Sequence, residues 1–98
     1  MAEVSQIEVQ VKNANGMHMR PAMQFVDVAS RFASKISVSN EKLTVDGKSI
    51  MHMAMLAAVA GSKLKIKAEG NDAKAATAAL KELVEDRMFD EPAWVPKA

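Results

Sequence analysis

Pro21 is the residue that most limits how this chain can fold. It lacks a backbone N–H and its ring fixes φ, so within a helix it fits only the first turn. Downstream of it, Ala22, Phe25, Val26, Ala29, Phe32 and Ala33 recur at three- and four-residue steps, which is one apolar face of a helix. Upstream, Ile7, Val9 and Val11 alternate with Glu8, Gln10 and Lys12, the period-two pattern of a half-buried strand. A strand therefore gives way to a helix within Gly16-Met17-His18-Met19-Arg20-Pro21-Ala22, and His18 falls at or next to the helix cap.

The start of a helix presents backbone N–H groups without intrahelical acceptors, together with the positive end of the helix dipole. Such a place suits an anion, phosphate above all. A neutral imidazole there is a nucleophile. A phosphoryl group on one of its nitrogens would meet the free amides, the dipole and the guanidinium of Arg20. The dipole alone contributes ~0.3–1 kcal/mol, so Arg20 and direct hydrogen bonds must supply the rest. Phosphate held with that moderate strength is suited to being passed on. The plainer alternative is a surface histidine that caps a helix beside a solvated arginine.

The remaining elements follow from the same periodicities. Ile36 and Val38 alternate with Ser37 and Ser39 to give a second strand. Asn40-Glu41-Lys42 turns the chain, and Leu43, Thr44 and Val45 make a third strand closed by Asp46-Gly47. A short helix is expected from Ser49, a competent N-cap, to about Ala58, with Gly61-Ser62 ending it. Lys63 to Ala68 alternates lysine with aliphatic residues, the cleanest strand of the chain. After Gly70-Asn71-Asp72 comes a helix with Ala73, Ala76, Leu80, Leu83 and Val84 on one side, where Asp72 and Lys81 complement the dipole. Short connections between strands make antiparallel neighbours, while the first helix requires a crossover that leaves room for another strand. Alternation on a single face of each strand puts the helices on one side of the sheet and water on the other. An open-faced sandwich of the α+β class, in the order βαββαβα, is the fold these patterns support.

Composition narrows the function further. Ninety-eight residues make one domain with a single modest core. Thirteen basic residues against twelve acidic ones give no bulk electrostatic case for nucleic acid or a membrane surface. Without cysteine there is no disulfide framework, thiolate nucleophile or cysteine-based metal site. No apolar run approaches the ~18–20 residues that span a bilayer, and Met-Ala-Glu-Val-Ser-Gln lacks the pattern of a signal peptide. A cytoplasmic monomer without metal or cofactor is the expectation. An RNA-binding module or a metallochaperone on a similar sandwich is disfavoured, because no aromatic stacking pair lies on a strand and no CxxC is present.

Three strings, in order and at the right spacing, resemble the HPr family of histidine phosphocarriers. Asn15-Gly16-Met17-His18-Met19-Arg20-Pro21-Ala22 is similar to its active-site motif, usually Thr-Gly-Leu-His-Ala-Arg-Pro-Ala. Val45-Asp46-Gly47-Lys48-Ser49-Ile50-Met51 resembles its regulatory serine segment, and Ala60 to Gly70 its last strand and following turn. The resemblance runs from about Val4 to Glu85. It implies a sheet of order 1-4-2-3 covered by helices on one face. It also implies that His18 is the phosphoacceptor, charged by phosphorylated enzyme I from phosphoenolpyruvate and discharged to an enzyme IIA protein. Arg20 would steady the phosphoryl oxygens, and the backbone amides of Met19 and Arg20 would bind the anion. Such a protein is a stoichiometric carrier in a relay, not a free-standing catalyst.

Ser49 carries two readings. As an N-cap it stabilises a helix by ~1 kcal/mol, which is reason enough for a serine. The resemblance adds phosphorylation by an HPr kinase/phosphorylase, with the state of Ser49 or His18 gating a regulatory partner. The methionines cluster around both residues. Met19, Met23 and Met51 are expected at least partly exposed and Met55 inside; with Ile50, the resemblance makes Met19, Met23 and Met51 a partner surface. This chain departs from the family pattern at Met19 and Met23, where small residues are usual, at His52 in place of glycine, and at Ala54 in place of methionine. Those changes bear on partner choice, including a regulatory or nitrogen-linked relay in place of sugar uptake, and His52 reads as a solvated side chain. The domain is expected to end at residue 87. Residues 88–98 are expected to be an extended or frayed tail, with Phe89 and Trp94 the anchors if it docks.

Overall fold

A computed structural model describes residues 3–95. The chain runs β1 (Glu3–Gln10), α1 (Met19–Ala29), β2 (Lys35–Ser39), β3 (Thr44–Asp46), α2 (Ile50–Met55), β4 (Lys63–Gly70) and α3 (Ala73–Lys81). A π turn over Glu82–Asp86 extends α3, and a 3-10 turn follows at Met88–Asp90. The sheet has the order β1-β4-β2-β3, every pair antiparallel. This is the open-faced sandwich and the strand order that the sequence and the resemblance led us to expect.

Register explains why one face is dry. Val9 lies opposite Leu64 and Ile7 opposite Ile66, while Val38 faces both Ile66 and Val45 on its two sides. These side chains share one face of the pleat. With Ile36, Ala68 and Phe25 of α1 they form one core. The other face carries Glu8 opposite Lys65 and Ser37 opposite Lys67, which water can solvate. α3 packs across β1 and β4, and α1 packs beside α2. Ala73, Ala76, Leu80, Leu83 and Val84 are buried, the face read from the sequence.

Some expectations need correction. The helical face of α1 was expected to continue to Phe32 and Ala33, but the helix ends at Ala29. Its last turn tightens through Arg31 N–H to Val28 O and Phe32 N–H to Ala29 O, which leaves Ala33 exposed. α2 stops at Met55 instead of Ala58, because Ala57 takes a left-handed conformation that redirects the chain. Asp72 does stand at the N-cap of α3, the position expected of it, and its side chain makes no cap hydrogen bond. Its carboxylate instead accepts hydrogen bonds from Ala33 N–H, Ser34 N–H and Ser34 Oγ, tying the α1–β2 turn to the end of β4. The Ser34 hydroxyl, ahead of the Ala33 amide, holds the Asp72 carboxyl below its ordinary value.

The largest correction concerns the C-terminal segment. It neither frays nor projects from residue 88, but straps back across the domain as far as Val95. Phe89 is fully buried. Asn13 and Ala93 form an antiparallel bridge, Ala14 N–H donates to Pro92 O, and Trp94 N–H donates to Lys12 O. Met88, Phe89 and Asp90 all have φ between 51° and 58°. Left-handed backbone costs ~1–2 kcal/mol per residue without glycine. The buried ring of Phe89 and the hydrogen bonds on either side of it hold the turn there. The strap lies against the β1–α1 loop, the segment that carries His18. Residues 96–98 of the expected tail, and the first two residues of the expected domain, lie outside the described part of the chain.

Candidate functional site

The β1–α1 loop is held in place before it reaches His18. Met17 N–H donates to Ala58 O at 2.7 Å, and Gly16 turns with φ +69°. A Cβ on Gly16 would stand 2.5 Å from Ala58 O, so no other residue fits the loop against this backbone. Asn13, fully buried, donates from Nδ2 to Gly16 O and braces the loop from inside. Met17 fills the core beneath.

His18 then occupies the N-cap of α1 in extended conformation, and its own side chain does not cap the helix. Ala22 N–H closes the first turn onto His18 O. Pro21 has no N–H, so the amides of Met19 and Arg20 open the helix, and neither donates a hydrogen bond among the described residues. The imidazole is 42% exposed, beside these two donors and the exposed Arg20. His18 thus stands where the proline spacing put it, half exposed, with two free backbone donors opening the helix beside it.

The sequence did not point to the two residues behind the ring. Glu91, on the strap, places its carboxylate oxygens 3.0 and 3.2 Å from His18 Nε2. Asn13 Nδ2 donates to Glu91 Oε1 at 2.9 Å, so one amide ties the loop to the strap. The Glu91 side chain is only 6% exposed. Burial pushes its carboxyl up, but hydrogen bonds from Asn13 and His18 and the charges of His18 and Arg20 outweigh burial and hold it below its ordinary value. The signals that could have found this arrangement were Phe89 and Trp94, two of the four aromatic residues of the chain.

The apolar surroundings are partly as expected. Met19 and Met23 are exposed on α1, with Ile50 and Met51 on α2; Met51 is 77% exposed. Met55 is not inside but 62% exposed, and Met53 is the methionine that α2 buries. The face of this six-residue helix is set by Met53 and Leu56, three positions apart, and Met55 falls away from it. Ser49 caps α2, its Oγ accepting from His52 N–H at 3.3 Å. His52 itself is exposed and comes no closer than 3.4 Å, through Nδ1, to the Asp46 amide.

Residues 5–86 match the family model described as the PTS HPr component phosphorylation site. The chain belongs to the HPr family. The phosphocarrier protein HPr of Pseudomonas aeruginosa is 43% identical over 86 residues, covering 87% of this chain and 94% of that one. HPr of Treponema pallidum is 41% identical over 83 residues, covering 85% and 94%. The crystal structure of HPr-C-His from Thermoanaerobacter tengcongensis superposes with a TM-score of 0.84 at 38% identity, over 89% of this chain and 97% of that one. HPr proteins are phosphocarriers of the phosphotransferase system, and this is the coarse function of the chain. The HPr match ends at residue 86, so the strap bearing Phe89, Glu91 and Trp94 lies beyond it. No helix among the described residues is long and apolar enough to cross a membrane.

Proposed function

We propose that His18 accepts a phosphoryl group from phosphorylated enzyme I, charged by phosphoenolpyruvate, and hands it to an enzyme IIA protein. The observation that carries this reading is the half-exposed imidazole at the N-cap of α1, next to the unspent amides of Met19 and Arg20. A ring nitrogen attacks phosphorus in line, and the incoming oxygens find backbone donors, the helix dipole and the Arg20 guanidinium. Transfer between proteins needs positioning and charge stabilisation more than further covalent chemistry, and a small domain can supply both.

The exposed Met19, Met23, Ile50 and Met51 are the surface on which partners dock in turn. Thioether side chains adapt to unlike partners, which a carrier that meets a donor and an acceptor requires. We place the protein in the cytoplasm as a monomer. The test is a chase: phosphate loaded from labelled phosphoenolpyruvate through enzyme I must leave on addition of an enzyme IIA protein. His18→Ala must carry none.

Ser49 supports a second, regulatory reading, because its hydroxyl stands directly before the exposed Ile50 and Met51. A phosphate there adds charge at the rim of the docking surface and repels an acidic partner while perturbing α2 little. An HPr kinase with ATP should add one acid-stable phosphate, absent from Ser49→Ala. An unchanged mass removes this regulation.

A further inference from the structure

The phosphoryl transfer proposed for His18 does not itself involve Glu91. A carboxylate this deeply covered and held in its ionised form can only accept hydrogen bonds. Both of its oxygens face Nε2 of His18, and Oε1 is also fixed by Asn13. Nε2 must therefore be the donor, so in the neutral ring the proton is on Nε2 and the lone pair is on Nδ1. We propose that Glu91 is a positioning residue for His18, holding the proton on Nε2, directing Nδ1 to attack, and facing the positive charge that the ring takes on with phosphate. The same relation between a buried carboxylate and an imidazole orients histidine in hydrolytic triads. Here it is delivered by a C-terminal strap whose left-handed turn at Met88–Asp90 and buried Phe89 aim the carboxylate at the ring.

The proposal rests on His18 being the phosphoacceptor. In the loading step, the Nδ1 lone pair attacks the phosphorus of a phosphorylated protein donor. The N–P bond forms as the bond from phosphorus to the donor's leaving atom breaks, and that electron pair stays with the donor. The ring keeps its Nε2 proton and becomes positively charged against the Glu91 carboxylate. In the unloading step, an acceptor nucleophile attacks phosphorus and the N–P pair returns to Nδ1. The ring is then neutral again, with the same proton in place. Glu91 of the strap faces the ring, and the charge of Arg20 on α1 reaches the same carboxylate; the first steadies the ring, the second the phosphate.

The test uses the full chain with ¹⁵N-labelled histidine, read by NMR, beside the rate of phosphorylation by enzyme I and phosphoenolpyruvate. In the wild type, the neutral His18 ring should carry its proton on Nε2. In Glu91→Gln, the two tautomers should mix and phosphorylation at saturating donor should slow about tenfold, with little change in the donor's KM. Asp90→Asn, which touches only the exposed pair with Arg87, should match the wild type and so shows that loss of a strap carboxylate away from the ring has no effect. Proton on Nδ1 in the wild type, or an equal or faster rate with Gln, overturns the proposal; the first outcome needs no variant to fold. Since the tautomer is read without any phosphoryl donor, a wild type that never takes up phosphate defeats the phosphocarrier reading and leaves the hold of Glu91 on the ring to be judged by NMR alone.

Discussion

His18 Nε2 and Glu91 Oε2 lie 3.0 Å apart although 73 positions separate the two residues in sequence. The pair joins the start of α1 to the last described segment of the chain. Whatever holds the strap thus also holds the environment of the imidazole.

Phe89 is the main anchor of that strap and makes its residues part of the core. Truncating a fully buried phenylalanine costs ~3–5 kcal/mol. Phe89→Ala should lose stability on that scale by denaturant titration, and residues 88–95 should become sensitive to protease. A loss of under about 1 kcal/mol would mean that the strap contributes nothing to the fold.

Trp94 closes the strap by lying over Gly61, where an added Cβ would meet the ring at 2.8 Å. Gly61 also has φ +89°, which a side chain disfavours. Gly61→Ala should therefore shift tryptophan fluorescence toward the solvated wavelength and cost about 1–2 kcal/mol. An unshifted emission would show that the indole does not rest on this glycine.

Acid should loosen the site before it melts the sheet. Glu91 titrates below its ordinary value of 4.5, and Asp72 below 3.8. Carboxyls lowered in the folded state stabilise it fully above those unfolded values, and the contribution is lost as pH falls through the folded ones. Stability should therefore decline below about pH 4.5, first from Glu91. In His18→Ala, two of the influences that lower Glu91 are gone, so its carboxyl resonance should titrate at higher pH than in the wild type. An identical titration in both proteins would contradict the pair.

The strands and the α3 face were legible because their signal is local: alternation over Lys63–Ala68 or spacing over Ala73–Val84 survives whatever lies across the core. Pro21 fixed the start of α1 by chemistry alone, and with it the place of His18. The short helix was read less well, since six residues hold too few repeats to tell Met53 from Met55. Of the strap, only its aromatic anchors Phe89 and Trp94 were legible. Three successive left-handed residues without glycine have no sequence signature, and Asn13 and Glu91 matter only through a contact made after folding.

The most direct test of the account is to incubate the protein with phosphoenolpyruvate and enzyme I and map the modification by peptide mass under alkaline conditions. We predict one acid-labile phosphate on the peptide containing His18, and none on the protein carrying His18→Ala. A phosphate found elsewhere, or none with an enzyme I that charges another HPr, would contradict it.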